Sequence, residues 1–228
     1  MTSYSTERPV PGKKSLPREF IVQHQRARLI RALAEEAAEK GFGAVTVAGV
    51  VKRAGMSRKT FYENFGSKED CFIAAQEHAM ALALERVVEA AGSFESWPQR
   101  VCAGLAAFLE CVAEEPALAK TCVVEALAAG PTSIKRYEES QQTFVSLFRL
   151  GRHVSPHGEE LPEALEEAIV GGIFWIVYQR LIDSEPGTAI DLLPGLAEFV
   201  LTPYLGTKAA RELSRIPVAE GAEAEPPG

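Results

Sequence analysis

A chain of 228 residues, 46% of them hydrophobic, has enough apolar mass for a small domain followed by a larger one. No stretch is long and apolar enough to span a membrane, and no N-terminal run has the layout of a signal peptide, so the chain is expected in the cytoplasm. The formal net charge of −7 argues against a nucleic-acid partner only until it is divided along the chain. Residues 1–18 carry Arg8, Lys13, Lys14 and Arg18 among Ser and Pro with no apolar periodicity, which predicts a flexible basic arm, either inert or placed in a minor groove. Residues 20–40 read as a long helix with Leu29, Ile30, Leu33 and Ala37 inward and Gly41 as its stop. Its Arg26, Arg28, Arg31, Glu35, Glu36 and Glu39 are expected to solvate the outer face.

Thr46 is placed to cap a short helix in which Val47, Val50, Val51 and Ala54 form an apolar stripe. Gly55 ends it, and Ser57 caps a second helix whose Phe61 and Phe65, four apart, point inward. On a 100° wheel Lys59 falls opposite those rings, with Glu63 beside it and Thr60 and Tyr62 on the flanks. Two short helices around a tight turn, the second with a polar outer face, predict a helix-turn-helix. Charge agrees: residues 1–70 hold 13 Lys/Arg against 8 Asp/Glu, net +5, and the rest hold 11 against 23, net −12. Such a basic segment can displace counterions from DNA phosphates while the acidic bulk stays away. Arg58, Lys59 and Thr60 are expected at base edges, and Thr46, Tyr62, Asn64 and Lys68 at phosphates, with Ser57 in the same DNA-binding set.

These residues resemble the N-terminal signature of tetracycline-repressor-like (TetR) transcriptional regulators. The likeness is carried by Thr46-Val47, Ala54-Gly55-Met56-Ser57, Thr60-Phe61-Tyr62, Phe65 and Ser67-Lys68-Glu69, with Gly41-Phe42 ahead of them, over roughly residues 24–72. The resemblance implies an all-α homodimer whose larger C-terminal domain binds a small-molecule effector and controls affinity for a DNA operator. Two positions depart from the pattern, Gly49 and Val51, which predicts altered packing of that helix.

Further along, Ser67-x-x-Asp70 resembles a capping box and opens a fourth helix to about Ala91. Helices follow over Trp97–Glu114, Pro116 to about Ala129, and Pro131 to about Arg152. A loop spans 153–162, then helices cover Pro162 to Asp183 and Thr188 to Leu205, the latter expected to kink at Pro194 and Pro203. A short helix, Thr207–Arg215, precedes a tail at 216–228 expected to be disordered. The fold class is therefore all-α: a three-helix helix-turn-helix domain at 19–66 and a helical ligand-binding and dimerisation domain at 67–215.

The segments near 162–183 and 188–205 are apolar nearly all round, which marks either a subunit interface, with Gly171 and Gly172 expected to admit a partner backbone, or one large monomer core. An aromatic set of Phe108, Phe144, Phe148, Phe174, Trp175 and Tyr178, with Gln141, is the candidate ligand-binding surface; Tyr137, Glu125 and Gln179 lie in the same region. No Arg stands among these stripes, which favours a neutral or cationic lipophilic effector. The alternatives are a DNA-binding dimer with a filled core and no ligand, or a helical enzyme or carrier in which the basic segment is incidental. Four cysteines without C-x-x-C spacing read as buried free thiols, and His153-x-x-x-His157 on a Pro- and Gly-containing loop shares no helical face for a metal. Neither a cofactor nor a metal is expected, and with no phosphate loop, nucleophile elbow or paired carboxylates, neither is an enzyme.

Overall fold

The computed structural model describes residues 17–183 and 186–215. Among them there is no strand. Ten α-helices follow one another: α1 (Arg18–Lys40), α2 (Val47–Ala54), α3 (Arg58–Asn64), α4 (Lys68–Gly92), α5 (Trp97–Glu114), α6 (Pro116–Val123), α7 (Pro131–Arg149), α8 (Leu165–Ile182), α9 (Leu193–Leu205) and α10 (Thr207–Leu213). Arg18 belongs to α1, two residues earlier than its apolar periodicity indicated; residues 1–16 of the expected arm and the tail 216–228 lie outside the described residues.

The N-terminal core gathers Leu29 and Leu33 of α1, Val50 of α2, Phe61 of α3 and Phe72 of α4, all fully buried. Burying a ring such as Phe61 contributes about 1.5–3 kcal/mol relative to leaving it in water. Leu118 and Cys122 of α6 close the same core, so α6 enters the N-terminal bundle although it follows α5 in sequence. The second core lies between α4, α5, α7, α8 and α9, with Leu109, Ile169, Val177, Leu181, Val200 and Leu201 inaccessible or nearly so. α4 serves both cores: Cys71, Phe72 and Ala75 face the first, and Ala83 and Val87 the second.

Helix ends differ from the sequence reading where 3-10 turns intervene. α6 stops at Val123, and a 3-10 turn occupies Ala126–Ala128; α7 stops at Arg149 before another turn over Leu150–His153. α8 begins at Leu165, and residues Pro186–Leu192 form a 3-10 segment ahead of α9. Pro194 stands in the first turn of α9, where its missing N–H costs nothing, and only Pro203 lies inside the helix.

The charged residues of α1 do not simply solvate an outer face, because α2, α3, α4 and α6 all pack on that helix. Glu36 is buried and ion-paired to Lys40 and Arg53; Arg53 also reaches Glu39 and Glu35. The bond from Lys40, against the cost of burial and with help from Arg53, holds the Glu36 carboxyl below the usual range. Arg31 pairs with Glu115 at the start of α6 at 3.2 Å.

Candidate nucleic-acid interface and adjoining cavity

The helix-turn-helix is built from local bonds that the residue types dictate. Thr46 Oγ1 accepts from Gly49 N at 3.1 Å, and Ser57 Oγ accepts from Thr60 N at 3.0 Å, so each helix starts on a hydroxyl cap. Between them Gly55 takes the left-handed conformation (φ 62°, ψ 41°), and Met56 N donates to Val51 O at 2.9 Å, which closes the C-terminus of α2. Gly49 has a different task. A Cβ there would lie 2.5 Å from Glu36 Oε2, so the residue that departs from the family pattern makes room for the buried carboxylate that Arg53 holds.

Two arginines of α1 brace the unit from behind. Arg28 donates to Ala54 O at the end of α2, and Arg26 to Asn64 O at the end of α3, at 2.6 Å. The Arg26 guanidinium also lies over the Phe65 ring at 4.3 Å. Cations at both carbonyl ends complement the helix dipoles and fix the angle of α3.

On the outer side, Arg58, Lys59, Tyr62 and Glu63 are exposed, as are Thr46 and Ser57, and Thr60 is half-buried. Lys59 is 86% exposed in its side chain and meets Glu63 only at 3.9 Å, so it is free to leave that pair for a base edge. Two of the expected contacts are placed otherwise. Asn64 turns its amide inward, donating to Thr60 O at 2.8 Å, with Gln25 Oε1 at 3.5 Å. Lys68 reaches back: its Nζ donates to Val45 O at 3.0 Å and Phe42 O at 3.4 Å and sits over the Phe42 ring. Its ammonium thereby ties the start of α4 to the segment ahead of α2, because Gly41-Phe42 turns those carbonyls toward it. Ser67 Oγ caps α4 through Asp70 N at 3.0 Å.

In the C-terminal domain a cavity of about 290 Å³ lies between the end of α4, the start of α5, the end of α7 and the middle of α8. Phe108, Phe144, Phe148 and Phe174 line it, with Val170, Ile173 and Leu147. The rings of Phe108, Phe144 and Phe174 lie 6.0–6.1 Å apart and tilted to one another by 36–59° around one wall.

Three candidate ligand residues fall elsewhere. Trp175 is 60% exposed and stacks on Tyr178 at 5.4 Å and 11°, on the side of α8 away from the cavity, because positions 174 and 175 differ by 100° on the helix. Gln141 is half-buried a turn ahead of Phe144 and is not part of the lining; it bonds Tyr137, whose hydroxyl burial pushes up. Nor does Glu125 serve the cavity: its Oε2 accepts from Phe42 N at 2.8 Å and so joins α6 to the DNA-binding unit.

What the sequence reading missed is Arg100, which lines the cavity at its rim. A signal was present: Arg100, Gly104 and Phe108 follow at intervals of four on α5, one helical face. Gly172, expected at a subunit boundary, instead faces its own chain, since a Cβ there would lie 3.2 Å from the Phe199 ring.

The thiols carry no site. Cys71 and Cys122 are buried and burial pushes each up to about 12; burial also raises Cys102 and Cys111. Among the described residues no cluster of His, Cys, Asp and Glu is arranged for a metal, and no helix is long and apolar enough to cross a membrane.

The comparisons with known proteins agree with this geometry. Residues 29–75 match the family model described as bacterial regulatory proteins, tetR family. No curated protein matches the chain in sequence. Among solved structures, the fatty acid degradation regulator FadR of Bacillus halodurans superposes with a TM-score of 0.70 at 17% identity, over 86% of this chain and 99% of that one. FadR of Bacillus subtilis, in complex with stearoyl-CoA, gives 0.66 at 17%, over 79% and 98%. The ketosteroid regulator KstR2 of Mycobacterium tuberculosis gives 0.58 at 21%, over 78% and 93%. At these identities the likeness is one of fold. The matched N-terminal segment, folded as a helix-turn-helix with its polar face outward, is thus similar to the DNA-binding segment of the tetR family, and the fold of the chain is shared with regulators of that kind.

Proposed function

We propose that the protein is a repressor that binds a near-palindromic operator as a homodimer and is released by a small lipophilic effector held in the cavity between α4, α5, α7 and α8. The observation that carries this reading is the path of α4. Its first residue, Lys68, is tied to the carbonyls of Phe42 and Val45 beside the reading head, and its last turns, Val87 to Gly92, form one wall of the cavity. A ligand changes DNA affinity only by binding one arrangement better than another. One rigid helix in contact with both sites supplies the coupling.

The apolar lining supports a lipophilic effector, as does the stearoyl-CoA in the Bacillus subtilis FadR structure, a ligand with a long hydrocarbon chain. The alternative of a DNA-binding dimer with a filled core is disfavoured by the cavity itself, a concave, mostly apolar space of the kind that small molecules occupy. Dimerisation is supported by the exposed Trp175–Tyr178 stack on α8, with Ile182 on the same helix and Phe199 on α9, more large apolar surface than one chain has reason to show.

The test is selection of binding sites from random duplex DNA, followed by titration of the recovered sequence at several salt concentrations. Two inverted half-sites about one helical turn apart, with affinity falling steeply as salt rises, are the expected result. Recovery of a single half-site bound by monomer would refute the dimeric reading. Failure to retain any DNA at low salt would refute operator binding by the described face.

A further inference from the structure

The exposure of the cavity's lining residues gives it a direction. Phe108, Phe144, Val170, Ile173 and Phe174 are buried and form its floor. Val88 and Leu150, about half exposed, and Arg100, also exposed, mark its mouth. Among the described residues Arg100 is the single charged one in the lining. Its Nε donates to Phe94 O at 2.7 Å in the turn between α4 and α5, which holds the guanidinium at the rim in place of a solvent-swept orientation. No carboxylate among the described residues pairs with it, unlike Arg86, which meets Glu114 at 2.6 Å on the same two helices.

An apolar floor with one fixed cation at the opening selects an amphiphile of matching polarity. We infer that the effector is an anionic amphiphile, its hydrocarbon tail among Phe108, Phe144, Phe148 and Phe174 and its negatively charged head against Arg100. This rests on the ligand-gated reading proposed above and specifies the class of ligand that site takes. The head supplies acceptor oxygens to the guanidinium nitrogens that Phe94 leaves unused, a charge-assisted contact stronger than any neutral group gives. A cationic head at the same rim meets a like charge. The expectation of a neutral or cationic effector, drawn from the lack of Arg among the aromatic stripes, is thus reversed by a residue one and two turns ahead of Gly104 and Phe108 on the same face.

Two sources share this chemistry: a free carboxylate and an acyl thioester whose phosphates reach the rim. Calorimetric titration of the full-length protein with dodecanoate, dodecanoyl-CoA, methyl dodecanoate and dodecyltrimethylammonium, each below its micellar concentration, separates the cases. At least one of the two anions is expected to bind 10-fold or more tightly than the methyl ester, and the ammonium to bind weakest. Tight binding of dodecanoate assigns the free acid; binding of dodecanoyl-CoA alone assigns the thioester. Arg100→Gln, which keeps a polar side chain at the exposed rim but shortens it and removes its charge, is expected to weaken the anions about 10- to 100-fold, the factor that a hydrogen bond to a charged group commands, and to leave the ester unchanged. If the ester and the ammonium bind as tightly as the anions and Arg100→Gln alters none of them, the anionic head is overturned while a lipophilic effector stands. If none of the four binds, the lipophilic-effector reading is overturned with it.

Discussion

Lys59 and Lys68 are both lysines of the reading head, and their surroundings separate them. Lys59 stands in solvent at the centre of the outer face of α3. Lys59→Ala is expected to weaken cognate DNA by about 1–3 kcal/mol, the range of one good base contact, and random DNA by much less; parallel titrations of both duplexes check this. Lys68 is a tether, its ammonium shared by two carbonyls and a ring. Lys68→Ala is therefore expected to lower unfolding stability by about 1–2 kcal/mol in urea, a loss that replacement of a free phosphate-binding lysine would not produce. The caps at Thr46 and Ser57 were legible in the sequence because a hydroxyl before an apolar-periodic run has one common use. The aim of Lys68 was not, since a long side chain chooses among partners that only the fold brings near. Gly49 was visible as an oddity, and its reason, the carboxylate of Glu36 beneath it, lies on another helix.

At the scale of elements, helix existence was legible through periodicity, whereas helix ends were not. α6 and α7 end in 3-10 turns whose composition does not differ from that of an α-helix, so the sequence reading ran through both. Those turns are fixed by tertiary bonds. Arg152 of the second turn donates to both oxygens of Glu166 on α8 at 2.8 and 2.9 Å, and Tyr204 of α9 donates to Glu166 Oε1 at 3.0 Å. Burial pushes the Glu166 carboxyl up, but the bonds from Arg152 and Tyr204 outweigh it and hold the group below its ordinary value of 4.5. A folded-state value below the unfolded one means stability that is fully present above about pH 4.5 and lost as pH falls through the lowered value. Glu166→Gln is expected to cost about 2–4 kcal/mol at pH 7, since it leaves the Arg152 charge uncompensated, and to flatten the fall in stability between pH 5 and pH 3; urea unfolding across that range measures both.

The turn Ala126–Ala128 has a similar anchor on each side. Ser133 Oγ donates to Ala126 O at 2.8 Å and bonds the buried Gln76 of α4, while Glu125 accepts the Phe42 amide. Glu125→Ala leaves that amide without its acceptor. It is expected to keep the fold and to reduce operator affinity about 10-fold, with Glu125→Gln restoring most of the loss because its amide oxygen can accept the same bond; titration of the selected operator with the three proteins decides it.

For the whole molecule, the decisive length is the separation of two reading heads. Successive major grooves on one face of a duplex lie about 34–36 Å apart, so a single α3 gains the affinity and symmetry of an operator only when a second copy is held at that span. The surface proposed to hold it is on α8 and α9. Apolarity all round these helices was legible in the sequence, but it did not tell which residues face inward: Phe174 closes the cavity, and its neighbour Trp175 stands in solvent on Tyr178. One helix thus presents the proposed effector site on one side and the proposed partner on the other, and an effector tail that displaced Phe174 would act on the same turn that carries the proposed interface. Trp175→Glu places a charge in the centre of the proposed apolar interface without touching the cavity. It is expected to yield folded monomers in sedimentation, with unchanged helical content and unchanged effector binding, and to reduce operator affinity 100-fold or more because each head then binds alone. Gly171→Arg, on an exposed residue with nothing within 4 Å of an added Cβ, is expected to do the same, whereas a change at Gly172 would first displace Phe199 within its own chain and so report on packing. A dimer that survives both Trp175→Glu and Gly171→Arg at micromolar concentration would place the interface on another face, and the spacing of the two α3 helices would then have to be set by elements other than the one that walls the cavity.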